Sequence, residues 1–351
     1  MSARALRELL SAAAGRWPEK TAISAPDGKI SFSLLEKRAL ALEAAVRKAD
    51  FSGERALICA KNSLSYAISF LALSLGGIVP VPIHTGWPTE RLLEVEKGAK
   101  PLFALVDGAG ERVLGRLTIP KAVLGDFAAG RVDISTLSGL ARGENGLGAL
   151  ALIYTSASSG SPKGVIIGEN PALFAADAIA AALDYRPDDK VLCGLPFAFD
   201  YGLYQLFLTL KSGAELVLLS DFSNPLDILP SISEEKITIF PLVPPLASLL
   251  LRSGLLGRGG ADPLRLLTST GDVFHPPQIT RLFELLPRAD IRPMYGLTEC
   301  KRVSIMPRGA LWEKTGSCGL PLAGTRVKVV GADGAQAPCG ESGELWVAGP
   351  H

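Results

Sequence analysis

The sequence predicts an α/β protein: two packed, mostly parallel α/β subdomains, followed by the beginning of a small β-barrel-like third subdomain. Three observations support this. Short apolar strands alternate with helical patterns through residue 252, and glycine-containing breaks stop the helices. Beyond residue 314, glycine- and proline-rich turns separate short β patterns.

The elements follow in order. Residues 1–17 read as an amphipathic helix with Arg and Glu interspersed, without the apolar centre of a signal peptide. Residues 32–48 have helical periodicity, 55–59 form an apolar strand, and 63–75 form a second helix that Gly76-Gly77 ends before a strand over 78–83. Residues 66–83 are the most membrane-like stretch, yet Gly76, Gly77, Pro80 and Pro82 break it. A buried helix followed by a buried strand is the expectation, without membrane insertion. The device repeats downstream, with a helix over 201–210, a stop at Ser212-Gly213 and a strand over 214–219. A further strand over 237–240, then Pro241, Pro244 and Pro245, lead to a helix over 246–252. Strand patterns at 326–330 and 343–348 flank a turn over 331–340. The expected domains are 1–150, 151–314 with a phosphate loop, and 315–351.

Composition narrows the function. A chain of 351 residues with 48% hydrophobic and 20% charged side chains is globular and long enough for several subdomains. A net charge of +1 leaves no electrostatic footprint for nucleic acid. Cys59, Cys193, Cys300, Cys318 and Cys339 are scattered without CxxC spacing, so free thiols in a cytoplasmic protein are expected. His84, His275 and His351 have no metal-ligand spacing, and no G-x-S-x-G elbow accompanies them.

The segment with the most chemistry is Tyr154-Thr-Ser-Ala-Ser-Ser-Gly-Ser-Pro-Lys-Gly-Val165, placed between two apolar runs. Hydroxyls, glycines and one lysine offer polyphosphate oxygens many donors and little bulk. A flexible Ser/Gly linker is the plain alternative. The P-loop pattern is absent, because Lys163 follows Pro162 and precedes Gly164.

This segment resembles the phosphate-binding signature of the superfamily of acyl-CoA synthetases, luciferases and nonribosomal-peptide adenylation domains, Tyr-Thr-Ser-Gly-Thr-Thr-Gly-x-Pro-Lys-Gly-Val. Met294-Tyr-Gly-Leu-Thr-Glu-Cys300 is similar to its Tyr-Gly-x-Thr-Glu, and Gly343-Glu-Leu-Trp-Val-Ala-Gly349 to its Gly-Glu-Leu-x-Val-x-Gly. The helix, Gly-Gly and strand near residue 76 and Thr270-Gly-Asp272 also fit, so the resemblance runs along essentially the whole chain.

The resemblance implies an AMP-forming acid–thiol ligase. It would activate a small carboxylic acid with ATP and Mg²⁺, then pass it to coenzyme A or to phosphopantetheine on an acyl carrier protein. Thr155, Ser156, Ser158, Ser159, Gly160 and Lys163 would cradle phosphates. Tyr295 and Gly296 would adjoin adenine, with Thr270, Gly271 and Asp272 lining the base. Thr298 would bond phosphate and Glu299 would hold the metal, so that Lys163, Thr298 and Glu299 form the implied catalytic set. Taken alone, Glu299 would read as a solvated surface carboxylate. Two positions depart from the pattern: Ala157 replaces the usual glycine, and Glu169 stands where many acyl-activating members have histidine.

The acid pocket is expected around residues 195–203, with Phe199, Asp200, Tyr204 and Leu297. Phe199 falls at a position where acyl-CoA synthetases have histidine. Asp200 falls where amino-acid adenylation domains supply a carboxylate for the substrate ammonium, although an N-cap for the helix beginning at Tyr201 is the other reading. An aryl or fatty acid also fits the small apolar residues nearby. A non-catalytic nucleotide-binding protein would share the same motifs. Members of the superfamily continue beyond the position of His351 to a ribose-gripping aspartate and a mobile C-terminal domain bearing a lysine. The expectation is therefore of a truncated chain, impaired in adenylation.

Overall fold

In a computed structural model of the protein, residues 4–51, 53–134, 149–155 and 161–351 are described. They build two main sheets, two two-stranded hairpins and three hydrophobic cores in alternating helix and sheet layers. The larger sheet has nine strands. Its parallel centre runs, in spatial order, Asp290–Tyr295, Leu266–Ser269, Ile239–Leu242, Lys190–Cys193, Glu215–Leu218 and Thr21–Ala25. Antiparallel strands finish the edges: Gly28–Ser31 at one, Ser304–Ile305 and then Leu320–Pro321 at the other. The smaller sheet is wholly parallel, ordered Val79–Ile83, Arg55–Cys59, Phe103–Val106 and Lys121–Val123.

The layering follows from strand alternation, which sends successive side chains to opposite faces. Val191 and Leu216 enter a central core with the helices Phe32–Lys48 and Leu64–Gly76, whereas Leu192 and Val217 enter an outer core with Ile279 and Leu282. On the smaller sheet, Ile58 and Leu105 face the central core, and Leu57 and Val106 face a third core that includes Leu92 and Val95. The central core thus joins one face of each sheet. The helix Leu64–Gly76 lies within it, buried on nearly every side, and its periodicity is correspondingly weak. Gly77 closes this helix at φ 87°, a left-handed cap that glycine adopts without steric cost. The strand Val79–Ile83 that follows is buried throughout, so the most apolar stretch of the sequence is interior. Among the described residues no helix is long and apolar enough to cross a membrane.

The structure differs from the expected organisation in several places. The division expected at residue 150 is crossed in both directions. Thr21–Ala25 and Gly28–Ser31 pair into the larger sheet, and the hairpin of Ala151–Thr155 with Lys163–Ile167 sends Leu152 and Tyr154 into the core of the smaller one. Pairing across nearly two hundred residues leaves no local mark in a sequence. The helix expected at 246–252 begins at Pro244, because prolines fit a helix's first turn, where backbone N–H groups have no partner. In the third segment Arg326–Val330 and Glu344–Ala348 form an antiparallel hairpin, and no closed barrel is present among the described residues.

Candidate active site

Four neighbouring parallel strands end at one place. The chain leaves Lys190–Cys193 toward Leu195–Gly202, Ile239–Leu242 toward Val243, Leu266–Ser269 toward Thr270-Gly271, and Asp290–Tyr295 toward Gly296–Arg302. Members of all four segments line one cavity of about 560 Å³. From Lys190–Cys193 the chain proceeds to Glu215–Leu218 on one side, then returns to Ile239–Leu242 on the other. The strand order reverses there, and the departing connections leave a crevice outside the carboxyl ends of the strands. An adjoining cavity of about 350 Å³ shares Thr270, Gly271, Gly296 and Leu297 and adds Asp272, Tyr295 and Ser317.

The structure gathers most of the expected residues. Thr155, Phe199, Asp200, Thr270, Gly271, Gly296, Leu297, Thr298 and Glu299 line the larger cavity, and Asp272 and Tyr295 the smaller. Thr155 ends its strand opposite Lys163, the last pair of the antiparallel ladder between Ala151–Thr155 and Lys163–Ile167. Ser156, Ala157, Ser158, Ser159 and Gly160 lie outside the described residues. Lys163 is exposed, and so is Ile166 at 55%, whereas Val165 and Ile167 of the same strand face the central core.

Tyr204 is not on the cavity wall. It is 3% exposed, one helical turn beyond Asp200, with its ring edge-on to Phe207. Its hydroxyl has no hydrogen-bond partner among the described residues, and burial holds its pKa well above the ordinary tyrosine value. The neighbouring Tyr201 takes the cavity position instead, its hydroxyl 2.7 Å from Thr268 Oγ1. Asp200 is the first residue of the helix Asp200–Ser212, and its carboxylate accepts from Tyr201 N–H at 2.9 Å. Glu169 is away from the cavity and accepts from Leu6 N–H at 2.7 Å, in the first turn of the helix Arg4–Arg16.

Backbone contact shapes the two main walls. A Cβ at Gly296 would stand 2.0 Å from Lys301 O, and one at Gly202 would stand 2.4 Å from Leu195 O. Only glycine permits either approach, and the first folds the segment 297–302 back beneath Tyr295. Val303 N–H donates to Tyr295 O at 2.8 Å to close that loop. Lys301, at φ 59°, buries its side chain and donates from Nζ to Thr298 O. Burial lowers its pKa, while Asp200 opposes the shift.

Sequence reasoning missed Asn62 and Arg302. Asn62 is 2% exposed, donates to Leu195 O at 2.8 Å and accepts from Phe197 N–H at 3.0 Å, tying the smaller sheet's loop to the acid-pocket segment. Arg302 lines the larger cavity and is 5% exposed. The Lys301-Arg302 pair, one residue beyond the Tyr-Gly-x-Thr-Glu motif, was the available signal.

Among the described residues no cluster of three or more His, Cys, Asp or Glu could hold a metal ion unaided. Glu299, exposed on the cavity wall, is instead a single carboxylate, a donor set suited to Mg²⁺ shared with phosphate oxygens.

Comparison with known proteins agrees with the geometry. The chain is 30% identical over 360 residues to phosphinothricin tripeptide synthetase PhsB of Streptomyces viridochromogenes, covering 99% of this chain and 29% of that protein. It is 30% identical to the L-proline–[L-prolyl-carrier protein] ligase of Streptomyces coelicolor, covering 85% of this chain and 61% of the ligase. It therefore spans less than two thirds of these relatives' length. The structure of VinN in complex with L-aspartate superposes with a TM-score of 0.85 at 30% identity, covering 98% of this chain and 88% of that one. The model of the AMP-binding enzyme family matches residues 10–351, and the chain belongs to that family.

Proposed function

We propose that the protein activates the carboxylate of an amino acid as an acyl-adenylate, using ATP and Mg²⁺, for transfer to a thiol. One observation carries this reading: a single cavity at the strand ends is lined by Thr155, Thr298 and Glu299 from the signature segments and by Asp200 from the acid-pocket segment. In the reaction a carboxylate oxygen bonds to the α-phosphorus of ATP. The bond to the oxygen bridging toward the β-phosphate breaks, and pyrophosphate leaves with that electron pair.

Two anions must approach, so groups that neutralise charge at the phosphates are required. Thr155, Thr298 and Lys163 would serve there, and bound Mg²⁺, held by Glu299, would supply further charge neutralisation. Tyr295 would stack on adenine, with Thr270, Gly271 and Asp272 beside the base in the smaller cavity. The volumes support separate acid and base compartments that meet at Gly271 and Gly296.

Asp200 would accept the substrate ammonium. A part-buried carboxylate on the cavity wall favours a cationic partner, and the relatives support this: one is named as a prolyl-carrier protein ligase and another was solved with L-aspartate. The ligase name also supports carrier-protein phosphopantetheine as the acceptor over coenzyme A. Five free cysteines accord with a reducing, cytoplasmic setting.

Acid-dependent exchange of pyrophosphate into ATP tests this reading, with amino acids set against their des-amino counterparts. Exchange should require the amino group, and Asp200→Asn should reduce it about 100-fold, the cost of leaving the substrate ammonium unpaired in the cavity. Equal exchange with the des-amino acids would reject the amino-acid assignment.

A further inference from the structure

Arg302 is a buried cation for which the proposed adenylation chemistry has no use. It stands on the wall of the larger cavity, 5% exposed. One guanidinium nitrogen, Nη1, donates to Thr270 Oγ1 at 2.7 Å. The guanidinium carbon lies 5.2 Å from the centre of the Tyr201 ring, which the hydroxyl contact with Thr268 fixes in place. Nε is buried and has no hydrogen-bond partner, and no carboxylate lies within ion-pair distance of Arg302 among the described residues. The planar fork is thus held by a ring face and a hydroxyl, with donors left over.

Guanidinium groups in such positions take carboxylates or phosphates bidentately, and an unpaired one is costly to bury. The remaining charges around the cavity are already placed. Glu299 is assigned to the metal, Lys301 donates to Thr298 O, and Asp200 is opposite in sign, at the start of the same helix that presents Tyr201. Arg302 and the Tyr201 ring beneath it line the larger cavity and not the smaller one, which places the guanidinium in the acid compartment.

We propose that Arg302 is a specificity-determining residue that binds a second carboxylate of the substrate, so that the acid activated here is an amino dicarboxylic acid. This rests on the amino-acid reading above and narrows it. Asp200 takes the ammonium, Arg302 takes one carboxylate, and the other carboxylate attacks ATP. A neutral amino acid would leave the guanidinium unpaired, which gives selectivity by penalty as well as by attraction.

The test compares pyrophosphate exchange supported by L-aspartate, L-glutamate and L-2-aminoadipate with that supported by L-asparagine, L-glutamine and succinate. Wild type, Arg302→Ala and Arg302→Lys are measured, with the Kd for ATP determined alongside. At least one amino dicarboxylic acid should exceed its amide by about 100-fold in kcat/KM. Arg302→Ala should collapse that ratio to near unity, Arg302→Lys should retain part of it, and the Kd for ATP should stay unchanged in both. The lysine variant keeps the charge, so its partial retention separates recognition from a folding defect.

Three results would overturn the proposal: amides exchanging as well as acids, no exchange with any amino dicarboxylic acid, or a weakened Kd for ATP in Arg302→Ala. The last would mean that the cation serves phosphate. Succinate equal to L-aspartate, with the Arg302 effect intact, would defeat the ammonium role of Asp200 while leaving the second carboxylate site standing.

Discussion

At the scale of single residues, the site depends on places where side chains are absent as much as on those where they are present. Gly296 lets Lys301 O approach to a distance that no Cβ tolerates. Gly296→Ala must therefore move the loop that presents Thr298, Glu299 and Arg302. It should cost about 2–4 kcal/mol by denaturant unfolding, as overpacked and strained positions do, and abolish detectable acid activation. Unchanged stability and activity would contradict the close contact. Tyr204 and Tyr201 show the limit of reading residues singly. Both follow Asp200 on one short helix, and only the path of that helix against the strand Leu266–Ser269 decides that Tyr201 reaches the cavity while Tyr204 points into the core. Arg302 was hidden for a related reason. A basic pair after a turn reads as a solvated surface, and only the reversal at Gly296 turns this one inward.

At the scale of elements, much was legible. The helices at 32–48 and 64–76 and the strands at 55–59 and 79–83 carry strong local signals, because periodicity, glycine stops and apolar runs are properties of neighbours in sequence. Two of the signature segments reach the cavities where strands end, through Thr155 and residues 295–299, whereas the third, residues 343–349, lies in the C-terminal hairpin and lines neither cavity. Pairing partners were not legible: Thr21–Ala25 lies beside Glu215–Leu218, and the hairpin after residue 150 joins the smaller sheet's core. Glu169 illustrates such a distant tie. Its carboxylate accepts from Leu6 N–H, in a first turn that otherwise lacks an acidic residue to satisfy its free N–H groups. Glu169→Ala should destabilise the protein by about 1 kcal/mol, a typical cap loss, and raise hydrogen exchange in the helix Arg4–Arg16, while acid activation persists. Unaltered exchange in that helix would show that the contact does no capping.

At the scale of the whole molecule, two sheets share one central core and are tied again at the mouth of the site. Lys61 pairs with Asp221 at 2.7 Å, and Asn62 N–H donates to Ser220 O at 3.2 Å, joining the loop after Arg55–Cys59 to the loop after Glu215–Leu218. Burial alone would raise the Asp221 pKa, but Lys61 and Ser223 outweigh it and hold the carboxyl down to about 2. Asn62 therefore holds the acid-pocket segment from the smaller sheet's loop, and the same loop is tied by this pair to the larger sheet. Such bracing suits the proposed reaction, in which a small acid and a nucleotide would be held in register for in-line attack.

The central claim is that this cavity joins an amino acid to AMP. Mass-spectrometric detection of the acyl-adenylate tests it most directly, with the protein incubated with ATP, Mg²⁺ and a panel that includes the amino dicarboxylic acids. An aminoacyl-AMP species should form together with pyrophosphate and be absent when the amino acid is omitted. ATP bound at the site with no adenylate from any amino acid in the panel would contradict it.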